Sequence, residues 1–369
     1  MKPTIPYFQF RDFPAGSEAA VQAALVEAVA SKHYIMGKDL LAFEEEFACY
    51  LGATAAVGVG NGYDALVLAL RGVGIGAGDE VVLPVHTFIA TINAVLQVGA
   101  RPVLVEPDKK TYNITAATAA NAITAKTKAI LPVHLYGQVC EMEPLLQLAK
   151  DHNLKIIEDA AQAHGATYKG QRAGTFGHVS AFSFYPTKNL GALGDAGAVV
   201  TNDTAVANFV QKYRNYGEVQ KYQSEMIGVN SRLDELQAAV LRVKLQYLDS
   251  LNAERQRLAA VYLQELENMP DLMLPVTAPG CSHVYHIFNV RTKQRDALQQ
   301  QLREQGIHTA VHYPVPVHLQ PAYSLLGYSA GDFPVAEELA RTNLSLPLFP
   351  GLQPDEQERV VEAIKCFYR

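Results

Sequence analysis

The stretch KIIEDAAQAHGATYKGQRAGTFGHVSAFSFYPTKNLGALGDAGAVVT, residues 155–201, holds three short β-rich apolar runs with reactive side chains just beyond their ends. The runs at 155–158, 179–185 and 198–201 are too short for helices and are bounded by glycine and polar residues. Asp159 closes the first, and Lys188 stands three residues past the second. Further runs of the same kind lie upstream at 56–60, 81–85, 102–105 and 129–135. Helix-length stretches separate several of them: 64–71, 143–152 and, less regularly, 115–125. Strand, helix, strand in repetition predicts an α/β fold with a mostly parallel seven-stranded sheet covered on both faces. In such sheets ligands bind beyond the carboxyl ends of the strands.

Past residue 234 the pattern changes to one long helix reaching residue 267. Leu236, Val240, Val243, Tyr247 and Leu251 fall at three- and four-residue spacings, which predicts the buried face. A strand at 284–290, a helix at 295–304, a proline-rich loop and a last helix from residue 355 follow. Residues 1–231 are therefore read as a large domain, and 232–369 as a bridging helix with a smaller C-terminal α/β domain. No internal repeat or low-complexity tract interrupts them.

The chain has 369 residues, 49% hydrophobic and 18% charged, with a formal net charge of −6. That balance, without a basic block, disfavours nucleic-acid binding by phosphate neutralisation. Cys49, Cys140, Cys281 and Cys366 are scattered and form no CxxC pair, so a reduced, cytoplasmic chain is expected. The N-terminus lacks the apolar core of a signal peptide, and no apolar stretch is long enough for a bilayer. His308, His312 and His318 share a segment broken by prolines and joined by no carboxylate or cysteine at ligand spacing, so no metal site is expected.

Lys188 beside a glycine-rich follow-on, with Ser183 and Thr187 offering hydroxyls to a phosphate, suits a carbonyl-reactive amine. Such an amine must be partly neutral, and burial can lower it from ~10.4 toward the working range. Asp159 is placed to hold a pyridine nitrogen protonated, which pyridoxal phosphate (PLP) requires of its protein. It is preferred over Glu158, and Gln162, one turn on, can reach the ring hydroxyl. In VGVGNGYDALVLAL, residues 57–70, Asn61, Gly62 and Tyr63 open a helix whose free amides attract a phosphate. A dinucleotide GxGxxG frame from Gly58 fails because Tyr63 stands where glycine is needed. Phe88, at a strand exit, is the candidate to stack on the pyridine ring.

Taken together, these segments resemble the DegT/DnrJ/EryC1/StrS family of PLP-dependent sugar aminotransferases, which have the aspartate aminotransferase fold (fold type I). EDAAQAHGA, SFYPTKNLGALGDAGAVVT and NSRLDELQAA carry the resemblance in the family's order, and it covers almost the whole chain. It implies that Lys188 binds PLP as a Schiff base, Asp159 holds the pyridine nitrogen and Gln162 contacts the ring oxygen. Gly62, Tyr63 and Ser183 would hold the phosphate, Phe88 would stack, and Asn230 would reach the phosphate of a second subunit. A homodimer with composite sites follows from that last role. The implied reaction is ping-pong transamination from glutamate to a nucleotide-linked keto-sugar, with pyridoxamine phosphate as the intermediate cofactor form.

NGYDALVLALR and SFYPTKNLG look more like the enzymes acting on dTDP-3-keto-6-deoxyhexoses. Many 4-keto enzymes carry histidine where Tyr185 stands, and a C4 aminotransferase on a dTDP- or UDP-linked sugar is the alternative. Tyr63 also departs from the serine or threonine common at its position in the wider family. Tyr185, Tyr34, His312 and Tyr313 are the candidate sugar contacts. A PLP-dependent dehydratase would carry histidine in place of Lys188; a regulator that binds PLP without turnover is disfavoured by the intact lysine, aspartate and aromatic set, and a non-catalytic carbohydrate-binding protein would need none of these residues.

Overall fold

The computed structural model describes residues 3–369. A seven-stranded sheet lies at its centre, in the spatial order Ala55–Val59, Gly197–Thr201, Val179–Ser183, Lys155–Asp159, Thr127–Ile130, Glu80–Pro84 and Arg101–Val105. The five strands from Val179–Ser183 to Arg101–Val105 run parallel to their neighbours. Gly197–Thr201 runs antiparallel to the strands on both its sides. Each of the seven apolar runs in the sequence supplies one strand, and the sheet is mostly parallel as the alternation with helices requires.

Side chains alternate between the two faces, because successive residues of a strand point to opposite sides. Val57, Ile157, Ala181 and Val199 pack with the helices Gly62–Gly72, Ile89–Gln97 and Thr204–Tyr213. Ala56, Phe182, Ala198 and Val200 pack instead with Phe43 and Phe47 of the helix Lys38–Leu51 and with Leu241 and Leu245. Both faces are therefore dry, which explains why Glu80–Pro84 and Gly197–Thr201 are buried throughout. The helix expected at 115–125 is only Ala116–Ala120, capped by Thr115.

The long helix is Glu235–Glu265, close to the expected bounds. Its buried face differs from the one read from the apolar spacing. Ala238, Leu241, Leu245, Leu248, Asn252, Arg255, Leu258 and Tyr262 are buried; of the expected stripe Val240 is buried, whereas Leu236, Val243, Tyr247 and Leu251 are half-buried. Three of the helix's buried positions, Glu235, Asn252 and Arg255, are polar, so a count of hydrophobic residues selects a neighbouring face. The helix spans two cores. Leu241 to Leu248 pack against the sheet, and Leu258 to Leu266 join a second core with Phe288, Leu298, Leu346 and Val360.

That second core covers the antiparallel pair Phe288–Arg291 and Asn343–Leu346 and the helices Arg295–Glu304 and Pro354–Tyr368. Ile5, from the opposite end of the chain, packs within it. The strand expected at 284–290 begins only at Phe288; before it, the amides of Val284 and Ile287 donate to Gly137 O and Tyr136 O in the turn Leu135–Gly137. Phe333, Ala336 and Leu339 return to the core beside the sheet. Among the described residues, no helix is long and apolar enough to cross a membrane.

Candidate active site

Glu158 and Asp159 end the central strand and point to opposite faces. Glu158 is fully buried and accepts from His134 Nε2 at 2.8 Å and from the amides of Gly174, Phe176 and Gly177. Asp159 turns toward a cavity of about 560 Å³ at the carboxyl ends of the strands. It accepts from Thr91 Oγ1 at 2.8 Å and from the amide of Ala161 at 3.2 Å. Burial raises its carboxyl above the ordinary value, while those two hydrogen bonds and then the Lys188 charge hold it down.

Lys188 follows the adjacent strand Val179–Ser183 through a turn closed by its amide on Tyr185 O at 2.8 Å. Burial pushes its amine down to about 8, and the Asp159 carboxylate acts in the opposite direction. An amine with that affinity for protons is neutral in a substantial fraction near pH 7.5, as nucleophilic attack requires. The imidazoles facing it are neutral too. Burial and then Lys188 lower His312 to about 4, and burial lowers His286 well below its usual range.

The helix Gly62–Gly72 starts at one end of the cavity, its N-cap Asn61 accepting from the amide of Asp64 at 2.8 Å. A side chain at Gly62 would bring its Cβ within 2.4 Å of Ser183 Cβ. Glycine there lets the free amides of a helix N-terminus and the Ser183 hydroxyl border one space, an arrangement suited to a phosphate. Opposite, Phe88 is 51% exposed, and its ring centroid lies 5.7 Å from that of Tyr313.

Gln162 is held by Tyr136, whose amide donates to its Oε1 at 2.7 Å, and its own Nε2 donates to Tyr313 Oη at 3.3 Å. His312 Nδ1 and Ser345 Oγ are hydrogen-bonded at 2.8 Å. Tyr185 lines the cavity and is 53% exposed.

Twelve of the fourteen residues singled out from the sequence line this one cavity: Asn61, Gly62, Tyr63, Phe88, Asp159, Gln162, Ser183, Tyr185, Thr187, Lys188, His312 and Tyr313. Tyr34 and Asn230 do not. Tyr34 donates to Val29 O at 3.2 Å, and Asn230 is exposed and bridged to Asn215 at the base of a short hairpin. Thr91, Asp195 and His286 also line the cavity and were not singled out. For Thr91 a signal existed, since Thr87 and Thr91 are one helical turn apart in HTFIAT and their hydroxyls lie 2.8 Å apart. Among the described residues no three His, Cys, Asp or Glu side chains form a metal-binding group.

The model of the DegT/DnrJ/EryC1/StrS aminotransferase family matches residues 17–365. The dTDP-3-amino-3,4,6-trideoxy-alpha-D-glucose transaminase of Streptomyces venezuelae is 50% identical over 98% of this chain and 96% of its own length. The dTDP-3-amino-3,6-dideoxy-alpha-D-galactopyranose transaminase of Aneurinibacillus thermoaerophilus is 49% identical over 98% of this chain and 99% of its own. Among solved structures, S. venezuelae DesV in complex with a ketimine intermediate superposes with a TM-score of 0.97 at 49% identity. The superposition covers 100% of this chain and 99% of that one.

Proposed function

The chain belongs to the DegT/DnrJ/EryC1/StrS aminotransferase family and is an aminotransferase, and from that premise we propose that it moves an amino group from glutamate to the C3 carbonyl of a dTDP-linked 3-keto-6-deoxyhexose. The observation that carries this reading is one cavity in which a partly neutral buried lysine, a buried carboxylate and a helix N-terminus converge. Transaminases named for 3-amino dTDP-sugars at about 50% identity support the choice of carbon.

The residues fit PLP. The amides of Gly62 and Tyr63 with the Ser183 hydroxyl would take the phosphate, Phe88 would cover the ring, and Gln162 would meet the ring oxygen. Asp159 would hold the pyridine nitrogen protonated, a role for which it retains acceptor capacity after bonding Thr91 and Ala161. PLP, when bound, would supply an electron sink for the pair left on a carbon that loses its proton, the chemistry that transamination needs. Lys188 would hold the cofactor between turnovers, and its released amine would then carry the proton that must leave the substrate carbon. His312, Tyr313 and Tyr185 would line the sugar's side. Tyr185 stands where many enzymes acting on 4-keto sugars have histidine, which supports C3.

We further propose a homodimer. Asn230, outside the cavity of its own chain, would reach the phosphate of a second subunit, and Tyr34 would approach that subunit's sugar. Exposed Tyr216, Val219, Tyr222 and Ile227 on the same hairpin supply apolar surface for the contact. The test of the reaction is turnover with glutamate and either dTDP-3-keto- or dTDP-4-keto-6-deoxyhexose. Amination of the 3-keto sugar is expected; turnover of the 4-keto sugar alone would sink the C3 assignment.

A further inference from the structure

Ala55–Val59 is an edge strand of the large sheet, paired on one side only, with Gly197–Thr201. On its open side the backbone is met by side chains instead of another strand. Gly58 N donates to Glu44 Oε1 at 2.7 Å, and Gly58 O accepts from Arg214 Nη1 at 2.6 Å. Arg214 and Glu44 are themselves a buried ion pair. Two residues on, Gly60 N donates to Ser231 Oγ at 3.0 Å. The turn that opens the helix Gly62–Gly72 is thus held from outside the sheet.

Ser231 is 3% exposed, and its hydroxyl is used in both directions. While accepting from Gly60 N it donates to Asp64 Oδ2 at 2.6 Å, so its single proton is committed to that carboxylate. Asp64 stands in the first turn of the helix, where free amides and the positive end of the macrodipole attract any anion. A carboxylate of the chain is there a rival of a phosphate for the same amides. Asn61, Gly62 and Tyr63 line the cavity, and Asp64, held by Ser231, does not. Ser231 is fixed in turn by its own amide, which donates to Arg214 O at 2.9 Å. Its neighbours are tied as well: Asn230 is bridged to Asn215, and Arg232 Nη1 donates to Asn215 Oδ1 at 3.0 Å.

We propose that Ser231 is a positioning residue for the phosphate site. It keeps the Asp64 carboxylate off the amides at the helix start and fixes Gly60, at the entry to the turn that presents them. This rests on the reading that the cavity takes the phosphate of PLP. Ser231 does not line that cavity, so its effect belongs to the phosphate and leaves the ring and Lys188 alone.

Titration of the full-chain apoprotein with PLP, and with pyridoxal, which lacks the phosphate, tests this through the visible band formed with Lys188. In Ser231→Ala the dissociation constant for PLP is expected to rise about tenfold, the scale of losing a hydrogen bond to a charged group. That for pyridoxal is expected to rise by less than about twofold. Inorganic phosphate should raise the melting temperature of the wild-type apoprotein more than that of Ser231→Ala. Adding Asp64→Asn to Ser231→Ala removes the rival charge and should restore PLP binding to within about threefold of the wild type. Asp64→Asn alone should bind PLP as tightly as the wild type or up to about threefold tighter. No loss in Ser231→Ala, or a loss shared equally by PLP and pyridoxal, would overturn the proposal. So would a loss that Asp64→Asn leaves in place, because Ser231 would then act through Asn230 or the fold. Weaker PLP binding in Asp64→Asn alone would overturn it as well, whether or not Ser231→Ala folds. If the wild type binds PLP no more tightly than pyridoxal, the phosphate reading itself fails, and the proposal with it.

Discussion

On one face of the central strand, Glu158 accepts four hydrogen bonds, from His134 Nε2 at 2.8 Å and three loop amides at 2.7 to 2.8 Å. On the other face, one residue along, Asp159 accepts two and opens onto a cavity. Both are buried carboxylates, but their surroundings suit different work. Glu158 has its acceptor sites filled and holds the loop 174–177 against the sheet. Asp159 keeps acceptor capacity directed at a space, which is what a buried carboxylate needs to meet a ligand.

Exchanging each for its amide separates these roles. Asp159→Asn should lower kcat/KM by about 100-fold or more, the scale of removing one electrostatic contact at a reacting centre, with a melting temperature near that of the wild type. Glu158→Gln should do the reverse. It should cost about 3 kcal/mol in denaturant unfolding, because a buried charge and its donors lose their match, while the folded fraction retains its kcat. Comparable activity losses in both variants would remove the distinction.

Thr91→Val probes the Asp159 side more gently. Deleting one hydrogen bond to the carboxylate is worth about 1.5 kcal/mol, or roughly tenfold in kcat/KM. It should also raise the Asp159 pKa further, since that bond favours the charged form.

The smallest effect concerns Lys188 in the apoprotein. Its acylation by an amine-directed reagent, followed by the mass of its peptide, should reach half its maximal rate near pH 8, because burial lowers the amine to about that value. Asp159 raises this affinity for protons, so Asp159→Asn should move the midpoint lower, by up to about one unit, and Glu158→Gln should leave it in place. A wild-type midpoint above pH 10, or equal shifts in both variants, would contradict the assignment.

Much of this contrast was legible in the sequence. Alternation along a strand puts Glu158 and Asp159 on opposite faces, and the seven apolar runs placed the ends where Asp159, Ser183 and Lys188 gather. Gly62 could be read because a helix start after a strand needs no distant partner to be recognised. Thr91 was harder, since its contact with Asp159 spans 68 residues. The face of the long helix was read one step away from the buried one because Asn252 and Arg255 lie within the buried stripe. Asn252 is satisfied there by Asn189 and His164 O at 2.8 Å each. Arg255 is pinned along one edge only. Hydrophobic periodicity has no means of marking either residue as interior.

The central claim is that Lys188 is the amine that carries the cofactor. Borohydride reduction of the holoprotein, followed by peptide mass analysis, tests it most directly. A single pyridoxyl adduct on Lys188 is expected, with no comparable adduct on Lys244; an adduct on another lysine, or none at all, would contradict the account.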